Sequence, residues 1–142
     1  MALEVPDSWG LAGKVAVVTG GGAAGDGIGN GRAAAILLAR AGTRVVVVDR
    51  DAALAKRTVE MIAAGGGEAI AVEADVTRAA DCAAMVEAAL ERYGRLDLLD
   101  NNVGIGSRGS VVDESEESWR RVMDVNLHSM FLTAKHAIPA MR

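Results

Sequence analysis

The stretch from Lys14 to Arg32, KVAVVTGGGAAGDGIGNGR, sets the tightest constraint on how this chain folds. An apolar run from Val15 to Val18 reads as a strand, the glycines after it as a turn with few side chains in the way, and Ala33 to Arg40 as the opening of an amphipathic helix. That order builds an anion site. The first N–H groups of a helix have no intrahelical acceptor, and the helix dipole adds partial positive charge beside them. Glycine at the turn lets a pyrophosphate come close to the backbone.

A chain of 142 residues can bury one substantial core. With 51% hydrophobic but only 3% aromatic residues, that core must be built from Val, Ile, Leu, Ala and Met, which favours helices packed on a parallel sheet. Ala2–Gly13 reads as a leader, with Trp9 placed to pin it. After the glycine turn, a helix over Arg32–Ala41 carries Ile36, Leu37 and Leu38 and stops at Gly42. Arg44–Asp49 is a second strand, and its unbroken Val45–Val48 run predicts burial on both faces. Asp51 is placed to cap the next helix, whose Leu54, Thr58, Met61 and Ile62 share one face before Gly65, Gly66 and Gly67 end it.

Ala69–Glu73 gives a short third strand. Thr77 is expected to cap a helix with Cys82, Met85, Val86, Ala89, Leu90 and Tyr93 at helical spacing, terminated by Gly94. A fourth strand over Leu96–Asn101 leads into a loop with Gly104, Gly106 and Gly109. A last helix starts near Asp113 or Ser115 and bears Trp119, Val122, Met123, Asn126 and Met130 on one face, with acidic residues in its first turns. Strands alternating with helices predict an α/β fold with a doubly wound, Rossmann-type parallel sheet. Residues 1–142 read as one dinucleotide-binding domain, incomplete at its C-terminus after the fourth strand and its following helix.

A net charge of -4, a pI near 5.1 and no cluster of Lys and Arg argue against a nucleic-acid surface. Cys82 stands alone, which excludes an internal disulfide; its helical spacing predicts a buried thiol and fits a reducing cytoplasm. The N-terminus carries Glu4 and Asp7 with no basic region before an apolar run, and Arg40 and Arg44 interrupt the most apolar window. Neither a signal peptide nor a membrane span is expected.

The glycine cluster gains weight from Asp49, which stands at the tip of the second strand 20 residues beyond Gly29. A carboxylate there can accept two hydrogen bonds from an adenosine ribose diol and would repel a 2'-phosphate. NAD is therefore favoured as cofactor, while Arg50 leaves NADP open.

Thr19-Gly20, Gly27-Ile28-Gly29, Asp49, Asp75-Val76, Asn101-Asn102-Val103-Gly104 and Val125-Asn126-Leu127 follow one another in the order found in short-chain dehydrogenases/reductases. The chain resembles that family from Lys14 to its end. The resemblance implies that Gly20, Gly27, Ile28 and Gly29 line the pyrophosphate and nicotinamide side. It places Asp49 at the adenosine ribose, Asp75 and Val76 at the adenine edge, and Asn102, Val103 and Gly104 beside the cofactor ribose. Asn126 lies on an apolar stripe, where an unpaired amide would cost about 1–3 kcal/mol. It can bond a neighbouring backbone group, and the resemblance implies a catalytic part, holding a water in a proton relay.

The chain also departs from the family. Val103 replaces an alanine, and Asp100 stands where an apolar residue is usual, so its carboxylate needs a partner or a raised pKa. Three additional residues separate Gly20 from Gly27-Ile28-Gly29. An alternative alignment, which gives the following helix its ordinary family length, makes Gly29-Asn30-Gly31-Arg32 the glycine element, with all the additional residues before it. Asp26 would disfavour a nearby pyrophosphate unless it points away or meets Asn30 or Arg32. The family's catalytic Ser and Tyr-x-x-x-Lys are absent: Tyr93 is the only tyrosine and reads as core, and neither His128 nor His136 has triad or metal spacing.

The resemblance thus implies the cofactor-binding half of an NAD(P)-dependent oxidoreductase, inactive alone, with an unpaired edge on its fourth strand. A full-length form would act on a small-molecule secondary alcohol or ketone and form a homo-oligomer. A non-catalytic NAD-binding module and a fragment that needs a partner chain are the other readings.

Overall fold

The computed structural model describes residues 9–141; residues 1–8, with the Glu4 and Asp7 charges and most of the expected leader, and Arg142 lie outside the described residues. Trp9 is exposed, and the rest of the leader it was expected to pin lies mostly outside the described residues. The anchor comes later, where the Leu11 carbonyl accepts from the Thr43 hydroxyl at 3.1 Å and Gly13 N–H donates to the Gly42 carbonyl at 3.0 Å.

Four parallel strands, β1 (Val15–Thr19), β2 (Arg44–Asp49), β3 (Ala69–Glu73) and β4 (Leu98–Asn101), lie in the order β3-β2-β1-β4. Between them run α1 (Asn30–Arg40), α2 (Ala52–Ala64) and α3 (Ala79–Tyr93). After β4 come α4 (Glu116–Met123), a π-helical stretch (Asp124–His128) and α5 (Ser129–Ala140). Among the described residues no helix is long and apolar enough to cross a membrane.

The valine runs do what an unbroken apolar strand must, because each face of the sheet is covered. Val18, Val45 and Val47 pack with Ala35 and Ala39 of α1 and Ala55 and Ile62 of α2. Val15, Val17, Val46 and Val48 turn the other way, onto Cys82, Met85 and Ala89 of α3 and Leu132 and Ala137 of α5. Each fully buried valine contributes roughly 1.5–3 kcal/mol of transfer free energy, so this sandwich is the main source of cohesion.

Local signals decide where the helices begin and end. Asp51 caps α2 as expected, its Oδ1 accepting from Ala53 and Leu54 N–H at 2.9 and 3.3 Å. The buried face of α2 centres on Ala55, Thr58 and Ile62, with Leu54 and Met61 at its margins. Gly94 ends α3 in the left-handed region at φ 74°, where glycine has no Cβ to clash.

Thr77 does not cap α3. The helix begins one residue further on, with Arg78 as its N-cap residue, and the Thr77 hydroxyl and N–H both donate to Asp75 Oδ1, at 2.7 and 3.0 Å, closing an Asx turn. α4 begins after Ser115, whose hydroxyl accepts from Ser118 N–H at 3.1 Å. The apolar face expected on the last helix is present, but Trp119, Met123 and Met130 are exposed; full burial begins at Ser129, the first residue of α5, and continues at Leu132 and Thr133.

Candidate functional site

The carboxyl ends of the four strands converge on a cleft of about 480 Å³. Of the residues singled out by sequence, Gly20, Asp49, Arg50, Asp75, Val76, Asn102, Val103 and Gly104 line it. α1, which follows β1, covers one face of the sheet, and α5, which follows the adjacent β4, covers the other. The cleft therefore opens where the connections diverge, the usual ligand position in an open α/β sheet. Arg121, Asp124 and Val125 close its far side. Sequence reasoning missed Arg121 and Asp124, because charges on an amphipathic helix signal only solvent exposure.

The glycines of the loop are unequally constrained by their neighbours. α1 starts at Asn30, two residues before the expected Arg32, with Gly29 as its N-cap residue and no side-chain cap, so its first-turn N–H groups remain available. A side chain at Gly31 would overlap the Gly20 carbonyl oxygen. One at Gly21 would lie 2.7 Å from Val47 Cγ1, and one at Gly22 would lie 2.7 Å from Asp49 Oδ2. Gly27 and Gly29 are less constrained, their nearest neighbours being 3.2 and 3.5 Å away, and Ile28 is exposed. Gly27, Ile28, Gly29 and Gly31 do not line the cleft; Gly31 brings α1 against the end of β1. Asp26 meets neither Asn30 nor Arg32, but pairs with Arg57 at 2.7 Å.

Asp49 is fixed before any ligand arrives. Its Oδ2 accepts Gly22 N–H at 3.0 Å and its Oδ1 accepts Asp51 N–H at 3.0 Å. Each carboxylate oxygen keeps a further lone-pair direction for a ligand hydroxyl. Beside it, the Thr77 hydroxyl and then the Thr77 N–H hold the Asp75 carboxyl below the usual carboxylate range, with Arg78 and Arg50 adding to the effect. Its N–H in turn donates to Asp81 Oδ2 at 2.9 Å.

On the β4 side, Thr133 Oγ1 donates to Asn101 Oδ1 at 2.8 Å, and Asn102 N–H reaches Thr19 Oγ1 at 3.3 Å. The Asn102 Nδ2 group is buried with no protein acceptor among the described residues. Asp100 is half-buried on β4, a strand at the sheet edge with no described neighbour on its far side. Asn126 sits in the π-helical stretch and spends its amide on one backbone residue: Oδ1 accepts Ile105 N–H and Nδ2 donates to the Ile105 carbonyl, both at 2.8 Å. It ties the loop after β4 to the helix whose Asp124 and Val125 line the cleft.

Two groups lie elsewhere. Tyr93 is buried at the end of α3, with the Arg44 and Arg92 guanidiniums 5.2 and 5.1 Å from its ring and its hydroxyl unpartnered among the described residues. Cys82 is fully buried and donates to the Val76 carbonyl at 3.3 Å; burial above all, then Asp81 and Asp75, pushes its thiol up to about 11.

A parallel sheet ordered β3-β2-β1-β4 with helices on both faces, a glycine loop entering α1 and an acid closing β2 define a Rossmann-type fold. The short chain dehydrogenase family model matches residues 14–142, and the chain belongs to the short-chain dehydrogenase/reductase family. It is 45% identical over 128 residues to an uncharacterized oxidoreductase of Methylorubrum extorquens, covering 89% of this chain and 50% of that protein. It is 42% identical over 131 residues to 2-(S)-hydroxypropyl-CoM dehydrogenase 3 of Xanthobacter autotrophicus, covering 92% and 49%. A solved short-chain dehydrogenase/reductase from Burkholderia xenovorans superposes with a TM-score of 0.88 at 43% identity, covering 92% of this chain and 52% of that one. The chain spans about half the length of the curated relatives it matches.

Proposed function

We propose that this chain forms the cofactor-binding half of an NAD-dependent oxidoreductase that moves hydride between a secondary alcohol or ketone and a nicotinamide. The observation that carries this reading is Asp49, held by two backbone N–H groups at the mouth of a cleft that Gly20 and Asn102 also line. Asp49 receives the adenosine ribose diol and disfavours a 2'-phosphate, so NAD is the cofactor and NADP the weaker ligand. Arg50, which follows β2 and lines the same cleft, moderates this preference.

Asp75 and Val76 border the adenine, and Asn102, Val103 and Gly104 border the ribose on the nicotinamide side. The pyrophosphate lies over the start of α1, which Gly20 and Gly31 bring close and Gly27, Ile28 and Gly29 flank. Two features suit such a ligand. The buried Asn102 Nδ2 is a donor with no protein acceptor among the described residues, and the absence of a Cβ at Gly31, where the Gly20 carbonyl packs instead, lets the uncapped helix start lie beside β1.

When bound, the nicotinamide supplies the hydride acceptor or donor. The chain's own residues orient it and prepare a proton path: Asn126 Oδ1, already bonded to Ile105 N–H, keeps a second lone pair for the relay water. Tyr93 does not serve as proton donor, because it is buried in the core under α3 and does not line the cleft. We therefore assign the hydride reaction to the whole protein and none to these 142 residues alone. A secondary alcohol or ketone as substrate is in line with the hydroxypropyl group named for the Xanthobacter autotrophicus relative. The whole protein acts in the cytoplasm as a homo-oligomer.

Titration of the purified chain with NADH and NADPH, followed by nicotinamide fluorescence, tests the reading. Binding of NADH at least tenfold tighter than NADPH is expected. A folded chain that binds neither, or that prefers NADPH, overturns it.

A further inference from the structure

Among the described residues Arg32 is the largest fully buried side chain, and no carboxylate of theirs pairs with it. A guanidinium is a fixed cation with five N–H donors in a planar fork, so burying one without a counter-charge is costly unless acceptors surround it. Here the acceptors come from the extended glycine loop itself. Nη2 donates to the Ala23 carbonyl at 3.0 Å, and Nη1 donates to the carbonyls of Gly25 and Gly27 at 2.9 and 2.6 Å. Nε donates to Thr58 Oγ1 at 2.9 Å, and that hydroxyl donates onward to the Gly21 carbonyl at 2.7 Å.

The carbonyls of Gly21, Ala23, Gly25 and Gly27 are thus all drawn toward one buried cation or the hydroxyl bonded to it. The consequence is electrostatic as well as mechanical. A carbonyl oxygen facing a phosphate repels it, whereas an N–H attracts it. Turning alternate carbonyls inward keeps their negative ends away from the start of α1, two residues from Arg32 itself. The Gly21 and Gly22 N–H groups tie the start of the loop to Val48 and Asp49 of β2, both at 3.0 Å; past Gly22 the side-chain contact from outside, other than Arg32, is the exposed Asp26–Arg57 pair, worth little in water.

Resting on the nicotinamide-dinucleotide reading above, we propose that Arg32, acting through Thr58, is a positioning residue for the pyrophosphate. It holds the lengthened loop with its carbonyls turned in, and its own charge, unneutralised by any carboxylate, adds to the positive potential at the start of α1. The adenosine end of the ligand, bordered by Asp49, Asp75 and Val76, does not depend on it.

The test compares ligands with and without the pyrophosphate. NADH binding is followed by fluorescence, and adenosine binding by ligand-observed NMR, in the unsubstituted chain and in Arg32→Lys, which keeps a cation but cannot form the fork. The substitution is expected to weaken NADH at least tenfold and adenosine less than twofold. A purely structural role would weaken both by one factor, or neither, and either result overturns the proposal. If circular dichroism shows Arg32→Lys unfolded, Thr58→Val decides: it removes the Nε acceptor and the link to Gly21 while keeping Arg32 and its bonds to Ala23, Gly25 and Gly27, and is expected to lower the NADH-to-adenosine affinity ratio at least threefold, an unchanged ratio counting as refutation. Failure of the unsubstituted chain to bind NADH overturns the cofactor reading and this proposal together, whereas NADH binding with unchanged ratios in the variants overturns this proposal alone.

Discussion

Asp49 Oδ2 accepts the Gly22 N–H at 3.0 Å, which joins the carboxylate at the end of β2 to the glycine loop that follows β1. The two cofactor-facing elements therefore meet at Gly22, ahead of the Ala23, Gly25 and Gly27 carbonyls that Arg32 binds, and a side chain at Gly22 would collide with both Asp49 Oδ2 and Leu54 Cβ. Replacing Asp49 removes a ligand acceptor and a loop anchor at once. Asp49→Ala is expected to lower NADH affinity more than tenfold, about 1.4 kcal/mol or more, and to narrow the margin over NADPH. Parallel titrations with the two dinucleotides check this, and an unchanged NADH affinity would show that Asp49 is not at the ribose.

The glycines of the loop are expected to respond very differently to a single methyl group. Gly31→Ala places a Cβ into the Gly20 carbonyl, so α1 must move away from β1 at a cost of about 1–3 kcal/mol. Gly29→Ala meets only Ala23 Cβ at an ordinary 3.5 Å and should change stability by less than about 1 kcal/mol. Denaturant melts of the two variants give the comparison, and equal losses would remove the special status of Gly31.

Cys82 supplies a probe of folding. With its thiol at about 11 and fully buried, it should not react with iodoacetamide at pH 8 in the folded protein. Labelling should rise in step with the loss of helical circular dichroism as denaturant is added. Rapid labelling under native conditions would mean that α3 opens from the sheet.

Asp97 supports the opposite end of the sheet from the cleft. Its carboxylate receives Arg95 through two bonds of 2.7 and 2.8 Å and accepts Val15 N–H at 2.9 Å. Arg95 first, then the Val15 N–H and Lys14, hold it below the usual carboxylate range against the opposing effect of burial. Asp75 is lowered too, by Thr77. A carboxyl whose folded pKa lies below its unfolded one contributes stability above the unfolded value, about 3.9, and loses that contribution as pH falls through the folded value. Stability of the native protein should therefore decline below about pH 4, and Asp97→Asn should flatten that decline while lowering stability at pH 7. Melting temperatures between pH 3 and 7 test both the sign and the window.

The sequence by itself determined the layered fold and most of the cleft. Val15–Val18 and Val45–Val48 do not alternate because strands buried on both faces cannot, and that pattern survives any detail of packing. Asp49 was legible for a similar reason, since it ends a strand and in a parallel sheet all strand ends share one edge, whereas Asp75 and Asn102 were placed by the family resemblance. Tertiary structure decided what depends on distance between segments far apart in the chain. The glycines of the loop look alike in sequence, yet only the packing of α1 on β1 and of the loop on Val47 and Leu54 shows that Gly31, Gly21 and Gly22 cannot accept a side chain. Arg32 reads as a surface cation at the start of a helix, and it becomes a buried one because α2 brings Thr58 to it and the loop folds its carbonyls over it. Hydrophobic periodicity reports which face of an element is covered; it carries no information about which polar atoms meet beneath that cover, because hydrogen-bond partners are fixed by the mutual placement of whole elements.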